Sequence, residues 1–430
     1  MNKEVHSALL EGYSIPIRDT LWGHIYLTPS LAALAASPPF MRLTRIMQLG
    51  PACLVYPGAS HTRASHSIGV YHLARRLLTH LAEEGADKWM SAGGVSSFLC
   101  AALLHDLGHF PYTHSLKELP LEEHEALTGK LILAEPVKSL VIKAGGDPDF
   151  TAAIVDNELP DLTNNVELSF YRKLLSGSLD PDKLDYLCRD ARFCGVPYGA
   201  QDVDFILSRL HPHAERGVDI DSRGITAVES LLFSKYLMYR AVYWHRGVRS
   251  ATAMVKKALL KGLETACISG ADLYNLDDHG LFALAAKKAE LASAARPFFH
   301  LVDMVKEGSL FLTALEIPFN GDIHGKLLSL ESRSRTEEKL IPEFSSLFGK
   351  ELGEDALIID LPEPISFESG LYVTDENCVF ADSSSVMKNS LVEAFVKSLR
   401  ILRIFIDPRY DEDIRKNRDG ILKISQKWLN

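Results

Sequence analysis

Apolar and polar positions alternate at the start of the chain and then settle into helical stripes. SIPIRDTLWGHIYLT alternates with a break at Trp22-Gly23, which predicts a short β-hairpin. Pro29 opens a helical pattern in SLAALAAS, PPFMRLTRIMQ makes a second, and LGPACLVYPGA reads as a Gly/Pro-punctuated loop. From His61 the pattern is strongly helical, with Ile68, Leu73, Leu77 and Leu81 at near-helical spacing. VSSFLCAALLHD follows, stopped by Gly108 and Pro111. Helical stripes continue in HEALTGKLIL, DKLDYLCRDAR, AVESLLFSKYLMYRAVYWHRGVRSATAMVKKALLKGLE and HGLFALAAKKAELASAA. The tail changes character: DALIIDLPEPISFE, GLYVTD, CVFAD and LRILRIFIDP read as strands. The expected fold is mainly α, a helical core with a short N-terminal β-hairpin and a C-terminal α+β domain. The expected division is 1–50 (hairpin and helices on the core), 51–270 (helical core) and 271–430 (α+β, with an interface role), the boundary lying near Gly270 to Asp277.

Composition adds exclusions. At 430 residues, 47% hydrophobic and 24% charged, the chain holds enough apolar material for a large core and is long for one domain. No apolar run reaches the roughly 18–20 residues that span a bilayer, and the N-terminus carries an acid and a histidine where a signal peptide is apolar. A cytoplasmic location is expected. Cys53, Cys100, Cys188, Cys194, Cys267 and Cys378 form no C-x-x-C pair, so reduced thiols are expected. A net charge of −10 argues against a general grip on nucleic acid, though not against a local basic pocket. GDIHGK lacks the spacing of a P-loop, and no G-x-G-x-x-G occurs.

The candidate chemistry begins at HDLGHFPYTH, His105 to His114, where an apolar helix ends in groups that resist burial. A capping cluster explains it; so does a metal site completed from elsewhere. On a helix, His105 and His109 share a face, and Asp106 reaches the same ion if that ion sits at the helix end. Arg63 and His66 lie on one face in HTRASHS, which also reads as an ordinary helix start. In LDPDKLDYLCRD, Asp180 is an N-cap, Pro181 the first helical residue and Gly195 the stop, with Asp182, Tyr186 and Asp190 on one stripe. Acids at a helix N-terminus, with Asp185 and Arg189 as a surface pair, explain the charges equally well.

Combined, His66, His105, Asp106 and Asp182 suit one divalent transition metal such as Fe, Mn, Ni or Zn, which lowers the pKa of bound water. His109, His114 and His124 follow, and an imidazole is the natural acid for a leaving oxygen, with Glu125 able to orient one. Any single one of them also reads as structural. Arg63 and Lys183 supply cations beside the ligands. Lys235, Tyr239 and Tyr243 make a helical stripe that suits phosphates and a nucleoside, or simply an amphipathic helix with a wet face.

Over about the first 250 residues the ordered series IRDTLWGHIYLTP, PPFMRLTRIMQLG, LVYPGASHTRASHSIGVYHLA, HDLGHFPYTH, HE and DPDKLDYLCRDARFCGV resembles the HD-domain phosphohydrolases, within them the deoxynucleoside triphosphate triphosphohydrolases. The resemblance implies that His66, His105, Asp106 and Asp182 hold the metal, with Mg on the substrate phosphates. It implies that His109, His114 and His124 line the reacting phosphate, one as general acid, and that Asp190 belongs with them. Arg63, Lys183 and Lys235 grip the triphosphate. Gln48 and Leu49 approach the sugar, where a 2′-hydroxyl clashes; Tyr186, Asp190 and Tyr243 bound sugar and base. The implied reaction is attack of metal-activated water at the α-phosphorus, releasing deoxynucleoside and triphosphate, in a cytoplasmic homo-oligomer, dimer or tetramer. Departures are Lys117 in place of an acid (Glu118 is next), Phe110 for Gly, Lys235 for Arg, Trp22 for the His of an H-G turn, and Ala36 where some relatives carry an acid that reads an activating nucleotide. Two alternatives stand beside this reading: a nucleotidase or phosphodiesterase for another phosphate ester, and a nucleotide-sensing scaffold with an idle site.

Overall fold

The computed structural model describes residues 2–160, 166–291, 296–367 and 370–429. The fold is mainly helical, with an α+β C-terminal region. The predicted hairpin forms from β1 (Ile15–Asp19) and β2 (Gly23–Leu27), antiparallel with Asp19 opposite Gly23. Its apolar residues Ile25 and Leu27 join one core with Leu73, Leu77, Leu81 and the fully buried Phe98–Leu104 run.

The sequence sets the helix ends that matter. Thr62 caps the Arg63–Glu83 helix by accepting from the Ser65 amide, and Ser91 caps Ala92–Leu104 in the same way. Pro181–Cys194 starts on Asp180, whose side chain accepts from the Lys183 amide, and stops at Gly195 with φ 68°. The Arg63–Glu83 helix packs against each of the other two, and the three carry most of the candidate site.

Several expectations are corrected. The helix before HDLGH ends at Leu104 with His105 at its cap, so His105 and His109 do not share a helical face; His109 is reached through a turn. Asp185 and Arg189 are not a surface pair, since both side chains have 0% exposure. The long helix through YRAVYWHR is interrupted: Ile225–Met238 passes into a π-turn at Tyr239–Tyr243, and Arg246–Glu264 follows. The strand at DALIIDLPEPISFE stops at Asp360, because Pro362 and Pro364 have no N–H to donate to a sheet. The end of the HGLFALAAKKAELASAA helix, 292–295, and Glu368 lie outside the described residues.

Two hairpin and strand segments carried too few alternating residues to be read. β3 (Leu210–His213) and β4 (Gly217–Ile220) form a hairpin around Gly217, which has φ 82°. β5 (Leu312–Pro318) pairs with the C-terminal strand that LRILRIFIDP predicts. β6 (Leu357–Asp360), β7 (Tyr372–Val373), β8 (Cys378–Val379) and β9 (Ile401–Ile406) complete the set. β7 pairs in parallel with β4, giving a sheet in the order β3-β4-β7-β8 that ties the C-terminal region to the helical core. The second sheet, β5-β9-β6, is antiparallel, and the Leu330–Phe348 and Arg418–Leu429 helices cover it. Glu118 of the core bonds Lys256 (2.6 Å) and Arg333 (2.5 Å), so buried charge also bridges the regions. The six cysteines are all free, and no helix among the described residues is long and apolar enough to cross a membrane.

Candidate active site

Local sequence brings the histidines together. A Cβ at Gly108 would lie 2.3 Å from the His124 carbonyl and 2.5 Å from the Thr128 amide. Only glycine therefore lets the HDLGH turn lie on the His124–Ile132 helix. Thr128 completes that contact, its hydroxyl accepting from the Gly108 amide and donating to the His105 carbonyl. Buried Arg42 donates to the carbonyls of Leu107 and His109 (both 2.6 Å), closing the turn from the other side.

His66 and His105 are oriented alike. His66 Nδ1 is 2.9 Å from Asp185 Oδ2, and His105 Nδ1 is 3.0 Å from the Ala102 carbonyl. With Nδ1 donating in each, the Nε2 lone pairs face the same space. There Asp182 Oδ1 lies 2.9 Å from His66 Nε2 and 3.7 Å from His105 Nε2, and Asp106 Oδ1 lies 3.4 Å from His105 Nε2. His105 Nε2 is buried without a hydrogen-bond partner. Two imidazoles so held, with an orphaned nitrogen and two carboxylates, fit a divalent metal. Burial lowers the His66 pKa, but its bonds to Asp182 and Asp185 raise it to about 10: the surrounding carboxylates favour positive charge here, which a bound cation would supply in place of the second ring proton. Burial pushes Asp106 up, yet the charges of His105 and Arg63 outweigh it and hold the carboxyl well below its usual range.

The second cluster abuts the first. His109 Nε2 is 3.1 Å from His114 Nε2, and the ring centroids of His109 and His124 are 3.9 Å apart. His109 Nδ1 lies 3.2 Å from Asp106 Oδ1. Burial, with Arg63 next for His109 and His114 and with His114 next for His124, pushes all three pKa values down, that of His114 to about 4. Glu125 stands 3.0 Å from His124 Nδ1. Glu118, by contrast, faces Lys256 and Arg333 rather than a histidine.

One cavity of about 650 Å³ is lined by Gln48, Leu49, Arg63, His66, His105, Asp106, His114, His124, Asp182, Lys183, Tyr186, Asp190, Lys235 and Tyr243. Every candidate residue thus reaches it except His109, which sits fully buried behind His114 and His124. Arg63 Nη1 donates to Asp106 Oδ2 at 2.7 Å, while its Nε is buried without a partner. Lys183 Nζ donates to Asp180 Oδ2 (2.6 Å), and Lys235 Nζ to the Ser366 carbonyl (2.6 Å).

Sequence reasoning missed His61, Asp185, Arg42 and the C-terminal wall. His61 Nε2 is 2.8 Å from Asp190 Oδ1, and the Tyr243 hydroxyl donates to Asp190 Oδ2 at 2.7 Å, so Asp190 is clamped from two sides. His61 had a signal, standing five residues before His66; Arg42 had none. Glu363 to Ser366 line the cavity from the C-terminal region.

Comparison with known proteins agrees with this architecture. The HD-domain profile matches residues 63–146, and the HD-associated-region profile matches 202–429. An uncharacterized protein of Methanocaldococcus jannaschii is 30% identical over 419 residues, 95% of this chain and 83% of that protein. The deoxynucleoside triphosphate triphosphohydrolase SAMHD1 of Homo sapiens is 28% identical over 285 residues, 59% of this chain and 46% of that protein. The chain therefore spans just under half the length of that human relative. A crystal structure of a hypothetical protein from Aquifex aeolicus superposes with TM-score 0.69 at 26% identity, covering 94% of this chain and 99% of the other. The chain belongs to the HD-domain family and carries the HD-associated region.

Proposed function

We propose that this protein hydrolyses deoxynucleoside triphosphates to deoxynucleoside and triphosphate. The observation that carries the reading is the shared cavity, in which the His66, His105, Asp106 and Asp182 donors and the Tyr186, Asp190 and Tyr243 wall meet in a volume that suits a nucleotide. Similarity to human SAMHD1, whose name states that activity, supports it. A divalent metal held by those four donors supplies a Lewis acid and lowers the pKa of water. Arg63 faces the α-phosphate and holds Asp106 in place. A water oxygen bonds to the α-phosphorus and gives up a proton, the bond from that phosphorus to the 5′-oxygen breaks, and His114 or His124 relays a proton to the departing 5′-oxygen, its ring becoming cationic beside the anionic phosphates. His109 orders these two rings from behind. Gln48 and Leu49 meet the sugar, and Asp190, fixed by His61 and Tyr243, bounds it. Lys183 and Lys235 receive the outer phosphates with Mg. By the same resemblance we read the protein as a cytoplasmic homo-oligomer, dimer or tetramer, which light scattering tests.

Hydrolysis in ¹⁸O-labelled water tests the bond cleaved. Label in the triphosphate and none in the deoxynucleoside supports the reading; label at the 5′-oxygen contradicts it. A second reading, a nucleotidase or phosphodiesterase acting on another phosphate ester, is favoured by one observation: Lys183 and Lys235 already bond Asp180 and Ser366 within the protein. Orthophosphate as the product identifies a nucleotidase, and a phosphate monoester a phosphodiesterase.

A further inference from the structure

We infer that the N-terminal hairpin is part of the metal centre, with Trp22 a positioning residue that holds His66 through Asp185. The inference rests on the reading of His66 as a metal ligand. Asp185 has no exposed surface. Its Oδ2 lies against His66 Nδ1 (2.9 Å) and accepts from Arg189 Nε (2.8 Å). Its Oδ1 accepts from Arg189 Nη2 (2.9 Å) and from the Trp22 indole Nε1 (2.5 Å). Among the described residues, the indole is the one donor to this carboxylate that comes from outside the core helices.

The hairpin is held to that position by a second link. Asp19 Oδ1 accepts from the backbone amides of Leu21 (2.8 Å) and Trp22 (2.9 Å), which shapes the turn. Asp19 Oδ2 accepts from Arg189 Nη1 at 2.9 Å. One carboxylate therefore folds the turn and docks it on the arginine that also grips Asp185. Space for the pair comes from Gly69, where a Cβ would lie 2.0 Å from Asp185 Oδ1 and 2.4 Å from Arg189 Nη2.

The consequence is chemical. A carboxylate accepting from Nδ1 fixes the proton there and presents the Nε2 lone pair, and outer contacts of this kind set ligand orientation and affinity. Without the indole, Oδ1 keeps Arg189 alone and the carboxylate can swing away from His66.

The test is direct Zn²⁺ binding by the full chain, measured by competition with a chelator, with circular dichroism as the check on fold. Trp22→Phe keeps the ring and loses the N–H; Gly69→Ala displaces Asp185 from the other side. Each is expected to weaken Zn²⁺ binding by roughly tenfold to a hundredfold. If Gly69→Ala does not fold, Trp22→Phe carries the test. Wild-type affinity in a folded Trp22→Phe protein overturns the inference while leaving the metal reading intact. Wild-type protein that binds Zn²⁺ no better than His105→Ala overturns the metal reading, and this inference with it.

Discussion

Asp182 Oδ1 stands 2.9 Å from His66 Nε2, joining the first turn of the Pro181–Cys194 helix to the first turn of the Arg63–Glu83 helix. The pairing depends on both helix starts: Asp180 caps one and Thr62 the other, and each candidate ligand follows its cap by about a turn or less. Asp182→Ala and His105→Ala should each strip bound metal and abolish hydrolysis while leaving the helical circular dichroism intact. Metal content by elemental analysis, read beside turnover, checks this; full activity in metal-free Asp182→Ala protein contradicts it.

Under the proposed function, Tyr243 acts on substrate through Asp190. Tyr243→Phe removes one hydrogen bond of 2.7 Å and leaves His61 holding the other oxygen. A loss of about 1 kcal/mol, or roughly a fivefold rise in KM with kcat little changed, is expected. Steady-state kinetics on a deoxynucleotide measures it, and a large fall in kcat with KM unmoved would assign Tyr243 to the chemical step instead.

Glu118 should prove structural. Its carboxylate meets Lys256 and Arg333, and removing it strands two largely buried cations. Glu118→Ala is expected to cost about 3 kcal/mol of unfolding free energy, with Zn²⁺ affinity of the folded protein unchanged. Denaturant titration gives the first quantity. A loss of metal binding without a loss of stability would instead place Glu118 in the site.

Asp278 makes stability depend on pH. Burial raises its pKa from the ordinary 3.8 to about 6, although the Met47 amide donates to it. The folded chain thus holds this proton to higher pH than the unfolded chain does. Its contribution to stability is full below about pH 4, is lost as pH rises to about 6, and is flat above. Asp278→Asn should remove a change on the order of 1 kcal/mol, discounted for partial exposure. Thermal melts of both proteins at pH 4 and pH 7 test this; identical pH slopes contradict it.

Much of this was legible in residue order because the features are local. The hairpin at Trp22-Gly23, the Asp180-Pro181 start and the Gly195 stop depend on a few neighbouring residues, and each forms where the pattern places it. The association of motifs such as HTRASHS with HDLGH was legible through donor chemistry and resemblance rather than periodicity, since contacts between distant segments leave no periodic trace. Asp185 and Arg189 were misread for a physical reason. An i, i+4 pair carries the same signature on a surface as in a core, and only Gly69 on another helix makes the space that buries it. Likewise β4 has too few residues to show alternation, so its pairing with β7 appears only in the fold.

The most direct test of the proposed reaction is product chromatography after incubating the protein with a mixed panel of deoxynucleotides and ribonucleotides, with Mn²⁺ and Mg²⁺ in separate reactions. The account predicts deoxynucleoside and intact triphosphate, formed from deoxynucleoside triphosphates and absent with Asp182→Ala. Orthophosphate as the product, or tight nucleotide binding with no turnover under either metal, would contradict it.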